Sequence, residues 1–394
     1  MKILQVTNFF KPSWESGGPA KVVYEISKKL IERGHEVTVY TTDGFKSRLD
    51  VKKNGPVDVD GIKTYYFRNL SNYLARKMGF PTPYYLPIVA RREIRDFDVI
   101  HIHEHRTMLA VVAFYYAKKN GIPYILQPRG SVPTISKSKQ KKLFDYLFGY
   151  FIIKDASKII ASSKIESNQY IDVFPDIKSE KIVHIPNGID LKIYQNLPQM
   201  GEFKRKYLID EDKKVILFLS RIHERKGADI LVEAFSDLKS EFENVTLVIA
   251  GPDNNYLDKL KIIVRELNII NDVIFPGPLY ERDKLEAYVD ADVFVLPSKD
   301  RYESFGNVVL EAMACGTPVI VTNNCGVSEW IADDLVYVVE YNKDQLRKAM
   351  MFKILSDEEL RRRFGEGGRK LVREEFDWDK IILDIEKVYN EVVL

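Results

Sequence analysis

The chain has 394 residues, 45% of them hydrophobic and 29% charged, which suits two to three domains of ordinary globular composition. Its net charge of +2 hides an asymmetry, because residues 1–189 contain 30 Lys and Arg against 18 Asp and Glu, whereas residues 190–394 contain 29 against 39. No apolar run approaches the ~20 residues of a membrane-spanning helix, and two cysteines in so long a chain argue for a reducing cytosol.

The predicted elements begin with a buried strand, KILQVTNFF, whose apolar start is too short and too mixed for a secretory leader. SGGPAKVVYEISKKLIERGH then predicts a helix, because Val22, Val23, Ile26 and Leu30 recur at helical spacing and Gly34 ends it. The alternation continues with strands at 36–42, 98–103 and 123–127, a helix at 109–121, and the stretches QKKLFDYLFGYFIIK, ASKIIASS and IVHIPN.

A second alternation follows a turn-rich linker near residues 186–200. Its strands are expected at 214–220, 245–251, 272–277, 292–298 and 318–323, its helices at 227–241, 257–269, 282–291 and 305–316, and charged amphipathic helix over about 342–394. Strands alternating with helices indicate βαβ units and parallel sheets. The sequence therefore predicts an α/β protein with two doubly wound units.

Ligands of such sheets bind outside the carboxyl ends of the strands, so residues just after strands are the candidates. SRIHERKG follows a predicted strand, and its Arg221 and Lys226 are close enough in sequence to reach one anion, such as a pyrophosphate. The alternative is two solvated surface cations.

ESFGNVVLE, from Glu303 to Glu311, combines a turn with a helix start. The N–H groups of a helix start bind anions, and Gly306 would let a phosphate approach the backbone closely. Glu311 lies roughly 7 Å into the helix, which is about the span from a diphosphate to the ribose hydroxyls, and Glu303 lies where a sugar on the β-phosphate would be. The alternative is a capping acid followed by an ordinary helix-face glutamate.

These segments together resemble a known family. ESFGNVVLEAMACGTPVI is similar to the E-x7-E motif of retaining glycosyltransferases with the GT-B fold, most like family four. SGGPAKVVYEISKKLIERGHEVTVYT, DVIHIHE, LQPRGS, IVHIPNGID, LSRIHERKG, IAGPD and ADVFVLPS follow in the family's order. The resemblance implies two Rossmann-like domains facing across a cleft: an acceptor-binding domain over 1–190, a nucleotide-sugar-binding domain over 191–375, and a helix over 376–394 that packs back toward the first.

Roles for individual residues follow from the resemblance. Arg221 and Lys226 would hold the donor diphosphate, Glu303 the transferred sugar, and His103 would lie by the anomeric carbon, with Arg129 on the acceptor side. Donor-binding residues would be Gly17, Gly18, Gly251, Leu279, Ser304, Phe305, Gly306, Asn307 and Glu311. The sequence departs from the family at Ser304, where glycine is frequent, and at Asp253, where a second glycine is common.

Two further stretches have competing interpretations. HIHEH suggests a metal site, but strand alternation places His101 and His103 on one side and Glu104 opposite, and no acid or cysteine cluster completes it. SKSKQKKLFDYLFGYFIIK mixes lysines from Lys137 onward with leucines and phenylalanines. Its apolar face either packs on the sheet, with the lysines solvated, or contacts a membrane surface.

The resulting hypothesis is a retaining hexosyltransferase that needs no metal or other cofactor and binds no nucleic acid. It would move a sugar from a UDP- or GDP-linked donor to a glycan or lipid-linked acceptor, in cell-envelope polysaccharide, glycolipid or protein-glycan synthesis. It would be cytoplasmic, at the inner face of an anionic membrane through its basic first half. The alternatives are a sugar-nucleotide epimerase and a non-catalytic sugar-nucleotide or glycan-binding protein.

Overall fold

The computed structural model describes residues 1–14, 17–44, 48–52, 55–71, 73, 75, 81–133, 138–301, 303–331 and 335–393. The chain forms two compact units, Met1–Gly188 with Trp378–Leu394, and Ile189–Asp377. It therefore leaves the first unit once and returns to it for the last helix.

The first unit is built on a sheet whose eight described strands lie in the order β3-β4-β2-β1-β5-β6-β7-β8. The strands are Lys2–Val6 (β1), Glu36–Thr42 (β2), Pro56–Val59 (β3), Ile62–Phe67 (β4), Val99–His103 (β5), Tyr124–Gln127 (β6), Lys158–Ala161 (β7) and Ile182–His184 (β8). The helices are Gly18–Glu32 (α1), Leu86–Glu93 (α2), Met108–Asn120 (α3), Ser138–Phe144 (α4), Tyr150–Lys154 (α5) and Lys164–Val173 (α6). Apart from β3, which runs antiparallel to β4, neighbouring strands are parallel.

The β3–β4 hairpin is an element that the sequence analysis did not assign. Its turn contains Asp60 and Gly61, both with positive φ, at 53° and 82°. An Asp-Gly pair between two short β-rich runs is a strong hairpin signal. The signal was present in VDVDGIKTYYF, but its strands are short and one of them lies at the edge of the sheet.

The stretch QKKLFDYLFGYFIIK does not form one continuous α-helix. A π-helical turn, Asp145–Gly149, separates α4 from α5. Buried Asp145 accepts two hydrogen bonds from the Arg106 guanidinium, at 2.8 and 2.6 Å. Gly149 fits there because a Cβ at this position would lie 3.0 Å from the His105 ring.

The last helix, Trp378–Val393 (α14), packs against α1 in the first unit. Trp378 is buried, and its ring lies so close to Gly188 that a Cβ there would be 2.6 Å from Cδ2. At the rim of this contact Lys29 pairs with Asp379 at 2.6 Å. The side-chain volume of Trp378 is thus accommodated by the absence of a side chain at residue 188.

The second unit has a parallel sheet whose six described strands lie in the order β11-β10-β9-β12-β13-β14. The strands are Lys214–Leu219 (β9), Val245–Ala250 (β10), Val273–Gly277 (β11), Val293–Leu296 (β12), Val319–Thr322 (β13) and Tyr337–Val339 (β14). The helices are Glu202–Lys206 (α7), Ala228–Lys239 (α8), Leu257–Glu266 (α9), Glu281–Asp290 (α10), Asn307–Cys315 (α11), Lys343–Lys348 (α12) and Glu358–Glu375 (α13), with a π-helical segment, Ala349–Leu355, after α12. Strands and helices thus alternate as the sequence predicts.

Both sheets reverse their strand order near the middle. In the first unit the chain builds outward from β1 through β2 and β4, then returns to β5 on the other side of β1. In the second unit it builds outward from β9 through β10 and β11, then returns to β12. Because the connecting loops diverge at such a point, a crevice opens at the carboxyl ends of the two central strands.

We expect Trp378→Ala to lower the free energy of unfolding of the first unit by about 3–5 kcal/mol, because it leaves a large cavity between α14 and Gly188. The measurement is urea-induced unfolding. Leu383→Ala is the matched control, since Leu383 lies on the same helix but is largely exposed and should change stability by less than about 0.5 kcal/mol. Equal effects of the two substitutions would contradict the packing described for α14.

Candidate active site

Two loops meet at the β9–β12 crevice of the second unit. The loop after β9 carries Arg221 and ends in a single 3-10 turn, Glu224–Lys226. Gly227 follows with φ 71°, and a Cβ there would overlap the carbonyl oxygen of Pro297, just after β12. The main chains also hydrogen-bond directly, from Lys299 N–H to the Arg225 carbonyl at 3.0 Å.

This contact brings together two of the predicted catalytic residues. The Lys226 ammonium forms an ion pair with the Glu303 carboxylate, and the two side chains are only 12% and 16% exposed. Burial lowers the pKa of Lys226 to about 8, and the nearby Arg221 guanidinium acts in the same direction. The contact with Glu303 favours the charged ammonium, so Lys226 is a cation at neutral pH. Arg221 itself is exposed.

Gly306 shapes the start of α11. It has φ 101°, and a Cβ there would lie 2.7 Å from the Cys325 thiol. Gly326 N–H donates to the Glu303 carbonyl at 3.0 Å, and Val327 N–H donates to the Phe305 carbonyl at 2.7 Å. The segment 303–306 is therefore held by main-chain bonds to the 3-10 turn Gly326–Glu329, which follows β13. The Phe305 side chain is buried in the core, so only its main chain can serve a ligand.

Glu311, on α11, is held by two side chains of α10. Its Oε1 lies 2.8 Å from the Lys284 ammonium, and its Oε2 accepts a hydrogen bond from the Tyr288 hydroxyl at 3.0 Å. Lys284 and Tyr288 are positioning residues that the sequence analysis missed. They lie on α10, whereas Glu311 lies on α11, and nothing in the local sequence indicates that these side chains meet.

The other predicted donor-binding residues of this unit differ in their surroundings. A Cβ at Gly251, which has φ 140°, would overlap the carbonyl oxygen of Ser220 in the loop that leads to Arg221. Leu279 is buried in the core and follows Gly277, which has φ 83°. Ser304 and Asn307 flank Phe305 and Gly306 and are half-buried.

In the first unit, His103 ends β5 and is fully enclosed. Its Nε2 lies 2.6 Å from the Gln5 side-chain oxygen, and its Nδ1 accepts a hydrogen bond from Arg129 Nε at 3.1 Å. Burial lowers the pKa of His103 well below its usual range, helped by His101 and Arg129, so the ring is neutral. Both ring nitrogens already have partners, so neither is available to a ligand in this arrangement.

Arg129, which the resemblance placed on the acceptor side, follows β6 with φ 53°. Besides His103 it donates to the side chains of Gln127 at 2.9 Å and Asn187 at 3.3 Å. Burial lowers its pKa to about 10, which leaves it charged. Gly17, with φ 96° and ψ −164°, caps α1, which begins at Gly18; that backbone conformation is open essentially only to glycine.

Glu104 was considered in the sequence only as part of a rejected metal site. It follows β5 with φ 71°, and burial raises the pKa of its carboxyl to about 7, although the Asn8 backbone and side chain donate hydrogen bonds to it. A strongly perturbed acid after a central strand is typical of a functional residue. Within the described residues, no three His, Cys, Asp or Glu side chains form a group that could hold a metal.

Comparison with known proteins places this geometry in a family. The model of Glycosyltransferase Family 4 matches residues 16–193, and that of Glycosyl transferases group 1 matches residues 199–371. The fold is similar to that of HepE from Anabaena in complex with UDP and glucose, with a TM-score of 0.76 and 18% identity over 99% of this chain and 100% of that one. The chain belongs to the GT-B glycosyltransferases of the family 4 type.

Other members of this glycosyltransferase family cover nearly the same length. The N-acetyl-alpha-D-glucosaminyl L-malate synthase of Bacillus anthracis is 29% identical over 96% of this chain and 94% of its own. The alpha-monoglucosyldiacylglycerol synthase of Streptococcus pneumoniae is 27% identical over 91% and 80%. Sucrose-phosphate synthase from Thermosynechococcus elongatus has a similar fold, with a TM-score of 0.74 and 19% identity over 99% and 98%.

We expect Glu104→Gln to stabilise the protein more at about pH 8 than at about pH 5. The folded-state pKa of Glu104 is raised to about 7, so the native state holds the extra proton and wild-type stability falls as pH rises through that value. The variant has no ionisable carboxyl at residue 104, so its stability does not fall in this way. Its free energy of unfolding at about pH 8 should exceed that of wild type by about 1–3 kcal/mol.

Urea unfolding of both proteins at the two pH values measures this difference. Glu180→Gln, at an exposed glutamate of the same unit, should show no such pH-dependent difference. A Glu104→Gln effect that is the same at both pH values would mean that Glu104 is ionised in the folded protein throughout this range.

Proposed function

We propose that this glycosyltransferase moves a hexosyl unit from a UDP- or GDP-linked donor to a hydroxyl group, with retention at the anomeric carbon. The observation that carries the proposal is the ion pair between Lys226 and Glu303, beside Arg221, at the β9–β12 crevice. A crevice of this kind is where α/β sheets bind nucleotides. The donor would lie along α11, from Glu303 past Gly306 to Glu311.

The charges of this crevice suit a departing diphosphate. Arg221 and Lys226 supply two cations, and the start of α11 supplies main-chain N–H groups, so negative charge on the leaving group is stabilised without further groups from the protein. The Lys226 ammonium contacts the Glu303 carboxylate. When the donor binds, the ammonium would contact the diphosphate, and the Glu303 carboxylate would accept hydroxyls of the sugar.

Glu311 is prepared for the ribose in a similar way. Its contacts with Lys284 and Tyr288 hold the carboxylate in one orientation. A fixed carboxylate accepts hydrogen bonds from two neighbouring hydroxyls with little loss of side-chain freedom. The roles of Gly251, Leu279, Ser304 and Asn307 as donor contacts belong to the same proposal.

Relatives support a nucleotide-sugar donor and a hydroxyl-bearing acceptor. Complexes of HepE contain UDP and UDP-glucose. Names of related enzymes mention L-malate, D-inositol 3-phosphate and diacylglycerol. WaaG, which has a similar fold, is involved in lipopolysaccharide biosynthesis. The diacylglycerol and lipopolysaccharide names support our proposal that this enzyme acts in glycan or glycolipid synthesis.

We expect UDP- or GDP-sugars to raise the melting temperature of the wild-type protein and to serve as donors. Arg221→Ala and Lys226→Ala should lose this shift and reduce turnover by about 10²–10³ each, because each removes a cation from the leaving group. Glu303→Gln should keep the shift with the free nucleotide and lose transfer. A thermal-shift screen of sugar nucleotides, followed by product analysis with and without acceptor, measures these effects.

Arg282→Ala is the control for the arginine substitution, since Arg282 is an exposed arginine of α10 in an ion pair with Glu202. It should leave both readouts unchanged. Near-normal turnover of the Arg221 and Lys226 variants would refute the assignment. A nucleotide-dependent shift without any transfer or hydrolysis would instead support a non-catalytic binding protein, and a sugar nucleotide isomerised without acceptor would support an epimerase.

An exposed patch of the first unit favours a peripheral membrane contact as part of this function. Five apolar side chains form what we call the exposed apolar face: Leu143, Tyr146, Leu147, Phe148 and Phe151. They lie on α4, the π-helical turn and α5. The Tyr146 side chain is 80% exposed and that of Leu143 is 61% exposed. One interpretation of the sequence expected these side chains to pack on the sheet, and they do not. Lys139 and Lys142 beside this face are also exposed, while Lys137 lies outside the described residues.

An amphipathic helix with apolar side chains in solvent and lysines beside them suits an anionic lipid surface, to which each lysine contributes about 1 kcal/mol. Within the described residues, no helix is long and apolar enough to cross a bilayer. Contact through this face would bring the enzyme to a lipid-linked acceptor.

We expect the protein to co-sediment with vesicles that contain phosphatidylglycerol, and less with neutral phosphatidylcholine vesicles or at high salt. Replacing Tyr146 and Phe151 by Ser should reduce the bound fraction several-fold, because it removes buried apolar area at the interface. Tyr115→Ser is the control, since Tyr115 is an exposed aromatic residue on α3. A bound fraction that depends neither on lipid charge nor on the double substitution would contradict this part of the proposal.

A further inference from the structure

Two histidines of β5 share one face of the first sheet with a glutamine of β1. In the parallel pairing of these strands Gln5 lies opposite His101. His103 is two residues further along β5, so the three side chains point to the same side. Gln5 and His101 are 0% exposed and His103 is 1% exposed. Polar side chains enclosed in this way are expected to have hydrogen-bond partners.

One of these partners comes from the last helix. The buried face of α14 is apolar except for Glu386, which pairs with Arg33 just after α1, and Tyr389. The Tyr389 hydroxyl oxygen lies 3.1 Å from Gln5 Nε2 and 2.8 Å from His101 Nδ1. A phenylalanine would fill the same space, so Tyr389 differs from it by a hydroxyl group that contacts both side chains.

The hydrogen bonds continue from Gln5 to His103 and Arg129. His103 Nε2 lies 2.6 Å from the Gln5 side-chain oxygen, and Arg129 Nε donates to His103 Nδ1 at 3.1 Å. A guanidinium group has donors and no acceptor, so His103 Nδ1 must accept. Because the ring is neutral, its single N–H proton lies on Nε2 and is donated to Gln5.

The direction of these bonds then extends to α14. With its oxygen facing His103, Gln5 presents its amide N–H to the Tyr389 hydroxyl oxygen. Burial raises the pKa of Tyr389, so the hydroxyl keeps its proton and donates it to His101 Nδ1. The reverse order would set a proton on His103 Nδ1 against Arg129 Nε–H. One chain of donors therefore runs from Arg129 through His103, Gln5 and Tyr389 to His101.

We infer that Gln5 and Tyr389 are positioning residues that fix the tautomer and the orientation of the His103 ring. The last helix thereby supports the histidine for which the resemblance implies a place by the anomeric carbon. The catalytic consequence rests on the proposed function, whereas the hydrogen-bond chain does not. Hydrogen bonds in an enclosed chain polarise one another, so loss of the Tyr389 hydroxyl weakens the neighbouring bond between Gln5 and His103.

Long-range ¹H–¹⁵N NMR of the full-length protein, labelled with ¹⁵N-histidine, tests the chain, because the ring nitrogens of the two tautomers have distinct chemical shifts. The sequence has six histidines, and single substitutions by Gln assign their signals. For wild type we expect His101 and His103 to carry their ring protons on Nε2. Tyr389→Phe should shift the His101 Nδ1 signal, which loses a hydrogen bond, and should move the His103 Nε2–H proton upfield.

Two further variants make the result specific. Gln5→Met removes the acceptor of His103 and should move its Nε2–H proton further upfield than Tyr389→Phe does. Tyr124→Phe is the matched control, since it removes a buried hydroxyl of the same unit that donates to the Ile152 carbonyl at 2.7 Å, and it should leave these histidine signals unchanged. A His103 proton on Nδ1 in wild type, or His103 signals that neither Gln5→Met nor Tyr389→Phe moves, would overturn the inference.

Nucleotide release from UDP-glucose and from GDP-mannose, two hexosyl donors of the proposed classes, gives the catalytic readout. Tyr389→Phe should lower kcat several-fold and leave the KM for the donor unchanged, because Arg221 and Lys226 in the second unit are untouched. Tyr124→Phe should change neither constant. An unchanged kcat in a variant whose His103 signals have moved would overturn the positioning role.

The two readouts separate this inference from the proposed function. If wild type releases nucleotide from neither sugar nucleotide, the donor proposal is contradicted, and the histidine signals still decide the hydrogen-bond chain. If wild type turns over a donor but its His103 signals do not respond to either substitution, the donor proposal stands and the positioning role of Gln5 and Tyr389 is wrong.

Discussion

Close approach of main chain to main chain at the carboxyl edge of the second sheet is the constraint on which the candidate active site depends. The loop after β9 passes the end of β12 at Gly227, and the loop after β10 passes Ser220 at Gly251, in both cases with no room for a Cβ. Gly306 instead meets a side chain, because a Cβ there would lie 2.7 Å from the Cys325 sulfur. These contacts set the distance between Lys226 and Glu303, so glycine positions fix the geometry of charged side chains that lie several residues away.

The same edge resolves an electrostatic difficulty. Two glutamates beside an anion-binding helix start would repel a diphosphate if they were unpaired. In the structure each of them has its own lysine, Lys226 for Glu303 and Lys284 for Glu311. The pairing neutralises both carboxylates locally and leaves Arg221 as an additional cation. Under the proposed function, the two acids would then accept hydroxyls of the donor without opposing its phosphates.

Much of the fold follows from the sequence, because long apolar runs alternate with amphipathic helices in both halves. The short β3–β4 hairpin was missed, although Asp60 and Gly61 form its turn. Local pattern also predicted Arg221, Lys226 and Glu303 as candidate site residues, since each follows a strand and belongs to a motif. It did not reveal Lys284 and Tyr288, which contact Glu311 from a different helix.

Glu104 shows a second limit of sequence reasoning. Strand alternation predicts which side a residue of β5 faces, but the chain turns into a left-handed conformation just after His103. The periodicity therefore ends one residue before Glu104, and its environment depends on Asn8, almost a hundred residues earlier in the chain. Its burial and its raised pKa are properties of the folded unit that no local pattern encodes.

The contact between Gly306 and Cys325 has a practical consequence. The thiol of Cys325 is buried, donates to the Phe305 carbonyl at 3.2 Å, and has its pKa raised to about 12 by burial. It is thus almost entirely protonated and shielded, and an alkylating reagent can reach it only when segment 303–306 detaches from its neighbour. The rate at which Cys325 becomes labelled therefore reports how often segment 303–306 opens, and mass spectrometry can measure it without any substrate.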